Sequence, residues 1–290
     1  MPEPTSKIPA QFTFSQTSLQ DYADCPRRFQ LRYLDRLVYP AAESEPALEN
    51  ERHQQEGQYF HRLAQQYLLG IPPEKLARMA NTPDLGRWWE NFINSKDLTG
   101  LSPALRSGEL RKDLSGLYPE LTLSAPLGDF RLVAKYDLIA VTGDEKIVIY
   151  DWKTYRKRPR DEWLSARWQT RVYRAMLVAA GSQFNGGRPI VPERCEMVYW
   201  FANYPDDPAR FPYNEAQYKR DWDTLVKLTE EMRTASSYPL TDDRQMCAYC
   251  TYRSYCDRGI QAGDLDAIEA EMEAESLFDV NFEQIGEIAF

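Results

Sequence analysis

Apolar and polar residues alternate along this chain with two different periods, and the change between them separates helical flanks from a strand-rich centre. From Glu43 to Leu69 the residues Tyr59, Phe60, Leu63, Tyr67 and Leu68 recur at three-to-four spacing, which predicts an amphipathic helix. Further helices are expected over 73–80 and 84–95, the second rich in aromatics at Trp88, Trp89 and Phe92. Upstream, Ser18 or Thr17 can cap a short helix through Asp24, and Pro26 stands where a following helix has its first residue, so Cys25 falls at a helix junction. The period then shortens to two. Residues 120–126, 129–141 and 146–154 read as strands, with turn signals at Leu127-Gly128 and Thr142-Gly143-Asp144, which together give an antiparallel meander. A long helix over about 161–180, a strand at 195–202 and a last long helix over about 214–234 follow, and no internal repeat is found. Strands with helices between and around them define an α/β class. The expected organisation is one domain over 1–263, with a helical insertion at 43–115 and a tail at 264–290.

A chain of 290 residues has room for one large domain or two small ones. It contains no run of eighteen apolar residues, and its first residues lack the apolar core of a secretory signal. A cytoplasmic protein without membrane association is expected. Five cysteines in a reducing compartment are poor disulfide candidates, which leaves metal ligation for the clustered ones. The formal charge of −9 argues at first against a nucleic-acid partner. Residues 264–290, however, hold nine acidic residues and no Lys or Arg, so residues 1–263 are formally neutral. Basic residues cluster within that body at Lys153, Arg156, Lys157, Arg158 and Arg160, and again at Arg27, Arg28, Arg32 and Arg36. The tail itself is expected to be solvated.

Asp137 lies near the end of one predicted strand, and Asp151 and Lys153 lie on the next. Strand alternation puts Asp151 and Lys153 on one face, with Trp152 pointing away. Two carboxylates are hard oxygen ligands for Mg²⁺ or Mn²⁺, and a neighbouring ammonium can stabilise charge developing on a phosphate. A bare Asp-x-Lys more often marks a surface ion-pair ladder, and a lone histidine such as His61 more often a bonded core residue. The company of these residues favours chemistry. The IVIY run before Asp151 is apolar enough to be buried, and Gln169 and Tyr173, four apart, share a face of the next helix.

With Gly57-x-x-x-His61, the Asp137 strand, Asp151-Trp152-Lys153, Gln169-x-x-x-Tyr173 and four clustered cysteines, the sequence resembles the PD-(D/E)XK nuclease superfamily, specifically its RecB-like branch. The resemblance implies a restriction-endonuclease-like core, a mixed central sheet flanked by helices. It also implies that His61, Asp137, Asp151 and the main-chain carbonyl of Trp152 bind the metal, that Lys153 serves the attacking water, and that Gln169 and Tyr173 contact the substrate strand. The family often has Gly three residues before the first aspartate, where this chain has Ala134. His53 matches no family element and is expected at the surface.

Cys247-x-x-Cys250, Cys256 and the distant Cys25 supply four thiolates, which suit either Zn²⁺ or an iron–sulfur cluster. A zinc ribbon brings two C-x-x-C pairs. One pair plus two isolated cysteines resembles the [4Fe-4S] pattern of AddB-type and CRISPR-associated RecB-like nucleases, which implies a structural cluster stapling the chain's terminal regions. Cys195 reads as a core residue. Arg156, Lys157, Arg158 and Arg160 follow the lysine directly, where phosphates would approach, and Tyr155, Trp163 and Trp168 are candidates either for base stacking or for the core. The expectation is therefore a Mg²⁺- or Mn²⁺-dependent deoxyribonuclease, an exonuclease or single-strand nuclease of DNA repair, recombination or defence, acting on DNA with a single-stranded end. No Walker sequence is present, so a helicase or a CRISPR or repair protein is the expected partner. Two alternatives stand beside it: a catalytically inactive DNA-binding module with a structural metal cluster, and a zinc-bound interaction protein.

Overall fold

A computed structural model describes residues 7–38, 47–99, 114–248 and 250–259; the expected tail, and 43–46 and 100–113 of the expected insertion, lie outside the described residues. Among the described residues, six strands form one mixed sheet: β1 (Thr13–Phe14), β2 (Leu114–Leu127), β3 (Phe130–Thr142), β4 (Ile147–Lys153), β5 (Cys195–Phe201) and β6 (Tyr204–Pro212). The expected meander is present, with β2, β3 and β4 antiparallel in succession and Gly128 at φ +58 in the first turn. β5 then joins β4 in parallel, β6 pairs antiparallel outside β5, and β1 runs parallel to the start of β3.

Helices flank this sheet: α1 (Gln16–Asp24), α2 (Pro26–Phe29), α3 (Ala47–Leu68), α4 (Pro73–Ala77), α5 (Pro83–Asn94), α6 (Lys96–Thr99), α7 (Asp161–Ala166), α8 (Trp168–Ala180), α9 (Glu215–Thr234) and α10 (Arg244–Ala248). Two apolar cores result, one on each face. Leu19, Val172, Met176 and Leu225, from α1, α8 and α9, pack with one face, whereas Phe60 and Leu63 of α3 and Trp88, Trp89 and Phe92 of α5 pack with the other. β4 is buried throughout and alternates between them, with Ile147 and Ile149 in the first core and Val148, Tyr150 and Trp152 in the second. Burial on both faces explains its continuous apolar texture. None of the helices among the described residues is long and apolar enough to cross a membrane.

On β3 the alternation slips by one residue. Leu132, Ala134 and Tyr136 belong to the first core, but beyond Asp137 it is Ile139 and Val141 that do, while Leu138 and Ala140 enter the second. Directly across, Glu120 of β2 stands at φ +51, a left-handed backbone unusual for a residue with a Cβ. The two strands thus break their pleat at one level, the local disturbance by which sheets re-aim a side chain.

Several boundaries differ from the sequence expectation. α1 begins after Ser15, whose hydroxyl accepts from the Ser18 N–H while Ser18 returns the bond to the Ser15 N–H, so Ser18 completes the cap and does not supply it. The helix expected over 161–180 is two, broken at Arg167 (ψ 146), because the Trp168 N–H donates to Gln20 Oε1 of α1 at 3.3 Å. β6 escaped notice because Pro205, Asp206, Asp207 and Pro208 are poor strand formers, tolerated here on an edge.

Candidate active site and cysteine pocket

β3 and β4 pair only from Leu138↔Tyr150 to Val141↔Ile147 and then splay apart. β1 covers Arg131 and Leu132 further along the same strand. At the mouth of the splay the Asp137 carboxylate takes the place of a strand partner, and the Trp152 N–H donates to its Oδ2 at 2.7 Å. In an extended strand a residue's N–H and C=O leave by the same edge, so the Trp152 carbonyl opens into the same gap.

α3 lies across this opening. A Cβ on Gly57 would meet Thr154 Oγ1 at 2.9 Å, so only glycine lets the helix rest on the chain leaving β4. One turn on, His61 Nδ1 stands 3.1 Å from Asp137 Oδ1. Burial opposes ionisation of Asp137, but the His61 charge and hydrogen bond, the Trp152 N–H and the Lys153 charge outweigh it and hold the carboxyl below its ordinary range.

Asp151 and Lys153 point to the other side of β4, toward α8. Lys153 has no exposed surface, and its Nζ lies 2.9 Å from Asp151 Oδ2 and donates to Gln169 Oε1 at 3.0 Å. Gln169 closes the triangle by donating from Nε2 to Asp151 Oδ1 at 2.8 Å. An ammonium this deep requires such partners. One helical turn from Gln169, the Tyr173 hydroxyl accepts from Gln16 Nε2 at 3.2 Å. Burial and then the charges of Asp151 and Asp137 push its phenol well above the ordinary value, so it stays protonated. The structure therefore brings the sequence-predicted residues to one place as two touching halves, His61–Asp137 and Asp151–Lys153–Gln169, joined through Trp152.

Two residues were not read from the sequence. Glu120 is one: donor atoms of His61, Glu120 and Asp137 lie within 4.8 Å of one another, a mixture of carboxylate oxygen and imidazole nitrogen that could hold a metal ion. His53 is the other, and the surface position expected for it is wrong: it is buried, with Nε2 3.1 Å from the Thr154 carbonyl and its ring edge-on to Trp88. The spacing His53–Gly57–His61, four and four on one helix face, was the available signal. Ala134 is buried in the first core.

Cys25 ends α1 and precedes α2, and there it lines a pocket with Cys247, Cys250 and Cys256. All are free thiols, and burial raises Cys247 and Cys256 and pushes Cys250 up to about 11. The buried Arg28 guanidinium also lines the pocket, held by Asp21 at 2.7 Å and Asp24 at 2.8 Å. Cys195 is a core residue at the start of β5. Of the basic residues after Lys153, Arg158 is engaged by Asp161 and Asp207, both at 2.8 Å, and Arg156 by Glu49 at 3.1 Å, while Lys157 and Arg160 are exposed. Tyr155 and Trp168 are core residues, and Trp163 is covered by the Arg167 guanidinium at 4.8 Å.

Residues 13–257 match the PD-(D/E)XK nuclease superfamily, and the chain belongs to that family. Among solved structures it is similar to a Eubacterium rectale protein provisionally assigned as an exonuclease, at 10% identity and a TM-score of 0.47, over 86% of this chain and 90% of that one. It is also similar to the crystal structure of SSO0001, at 15% identity and a TM-score of 0.38, over 88% of this chain and 91% of that one. No curated protein sequence matches.

Proposed function

We propose that this chain is a Mg²⁺- or Mn²⁺-dependent deoxyribonuclease of the RecB-like type, an exonuclease or single-strand nuclease serving DNA repair, recombination or defence. Lys153 is the observation that carries this reading. A lysine with no exposed surface, fixed by Asp151 and Gln169 at the end of a core strand, is costly to bury and serves a reaction that needs a fixed positive charge. In this reading His61, Asp137, Asp151 and the Trp152 carbonyl hold the cation. A cation there polarises the scissile phosphate and lowers the pKa of a bound water. Lys153 orients the attacking water and stabilises the developing phosphate charge, Gln169 fixes both Lys153 and Asp151, and Tyr173 presents its hydroxyl to the substrate strand. Lys157 and Arg160, exposed beyond the lysine, contact phosphates together with Arg156 and Arg158.

In the same reading Cys25, Cys247, Cys250 and Cys256 hold a [4Fe-4S] cluster, with zinc as the competing occupant. The four soft donors share one pocket, and Arg28 beside them offsets the negative charge such a cluster carries. Its role is structural, reinforcing contacts already present between the terminal regions: Arg27 N–H to the Pro239 carbonyl at 3.1 Å and the Tyr252 hydroxyl to the Leu37 carbonyl at 3.1 Å. A helicase or a CRISPR or repair protein completes the pathway, because the sequence offers no nucleotide-binding loop. Protein purified without oxygen is expected to shorten end-labelled DNA in Mn²⁺ and to stop when the metal is chelated. Absence of metal-dependent cleavage of both single- and double-stranded DNA would reject the proposal.

A further inference from the structure

The geometry points to Glu120 as an additional protein ligand of the active-site cation, an inference that rests on the metal-dependent nuclease reading above. The ladder register, Pro119↔Leu138 and Leu121↔Tyr136, sets Glu120 directly across from Asp137. Its donor oxygen lies within 4.8 Å of those of His61 and Asp137. Octahedral ligands of one small divalent cation at about 2.1 Å are about 3.0 Å apart when adjacent and about 4.2 Å apart when opposite, so the three donors must draw together by about half an ångström or more to share such an ion. β2 and β4 occupy opposite edges of β3, so Glu120 reaches Asp137 from the side away from Lys153.

Lys135 acts as a stand-in for the ion. Its Nζ lies 2.6 Å from Glu120 Oε2, and its side chain is 48% exposed, placed to swing into solvent when a divalent cation takes the carboxylate. The cation and Lys135 thus compete for Glu120.

The test is a Mn²⁺ titration of the full chain, with free Mn²⁺ read from its solution EPR signal and folding followed by melting temperature. Glu120→Gln is expected to weaken Mn²⁺ binding roughly ten-fold or more, as loss of a carboxylate partner does at metal sites. Glu120→Gly, whose backbone accepts φ +51 without strain, is expected to do the same in a fold that is no less stable. Lys135→Met is expected to tighten Mn²⁺ binding. Parental Mn²⁺ affinity in a folded Glu120→Gly or Glu120→Gln protein would overturn the assignment, as would a Lys135→Met protein that loses affinity as they do. Asp137→Asn separates the two levels. If it also binds Mn²⁺ at the parental affinity, the metal site itself is misplaced; if it loses Mn²⁺ while the Glu120 variants keep it, only the role of Glu120 fails.

Discussion

Two hydrogen bonds and an ion pair fix Lys153, Asp151 and Gln169 into a closed triangle, and each member restrains the other two. Gln169→Leu removes two of those contacts without removing a charge. It is expected to lower the single-turnover cleavage rate about ten- to a hundred-fold, well beyond any loss of Mn²⁺ affinity through Asp151, because small misplacements of a reacting group cost that much. A fall in Mn²⁺ affinity as large as the fall in rate would show Gln169 acting on the cation and not on Lys153. At this scale much was legible. Asp137, Asp151, Lys153, His61, Gln169 and Tyr173 sit at spacings that strand alternation and helical turns translate directly into shared faces. Glu120 was not legible, because its place depends on a left-handed backbone at a residue other than glycine and on a slip in the pleat of β3, neither of which leaves a compositional trace.

The bearing of α3 on β4 is the decisive contact between elements. Gly57→Ala adds helix propensity, yet its Cβ would press on Thr154 Oγ1 and lift the helix that carries His61. The variant is expected to keep or raise its melting temperature while binding Mn²⁺ roughly ten-fold more weakly. Adding Thr154→Ala should restore most of the loss. A double variant as defective as the single one would remove this explanation of the Gly-x-x-x-His spacing. The long helices and the three meander strands followed from periodicity alone. The break at Arg167 did not, since no glycine or proline marks it and its cause is a hydrogen bond from Trp168 to the remote Gln20.

For the molecule as a whole, charge and cysteines act over the longest distances. The chain is acidic only because its last 27 residues are, and the exposed Lys157 and Arg160 lie a few residues beyond the buried lysine. The cysteine pocket brings Cys25 to Cys250 across more than two hundred residues of sequence, a convergence that the sequence signals only by one C-x-x-C pair and two isolated cysteines where a zinc ribbon has two pairs. Cys250→Ser is expected to purify with little iron or acid-labile sulfide. A ligand held at a hundred times its Kd stabilises by about 2.7 kcal/mol, and in a domain of this size 1 kcal/mol moves the melting temperature about 2–4 °C, so a fall of roughly 5–10 °C is expected. Zinc in place of iron and sulfide in the parental protein would assign the pocket to the other occupant.

Cleavage of end-labelled single- and double-stranded DNA in Mn²⁺ by the parental protein and by Lys153→Ala reaches the central claim most directly. The account predicts that the variant folds, binds Mn²⁺ and cleaves at least about a hundred-fold more slowly, the usual cost of removing a group aimed at transition-state charge. Cleavage by Lys153→Ala at the parental rate would contradict it.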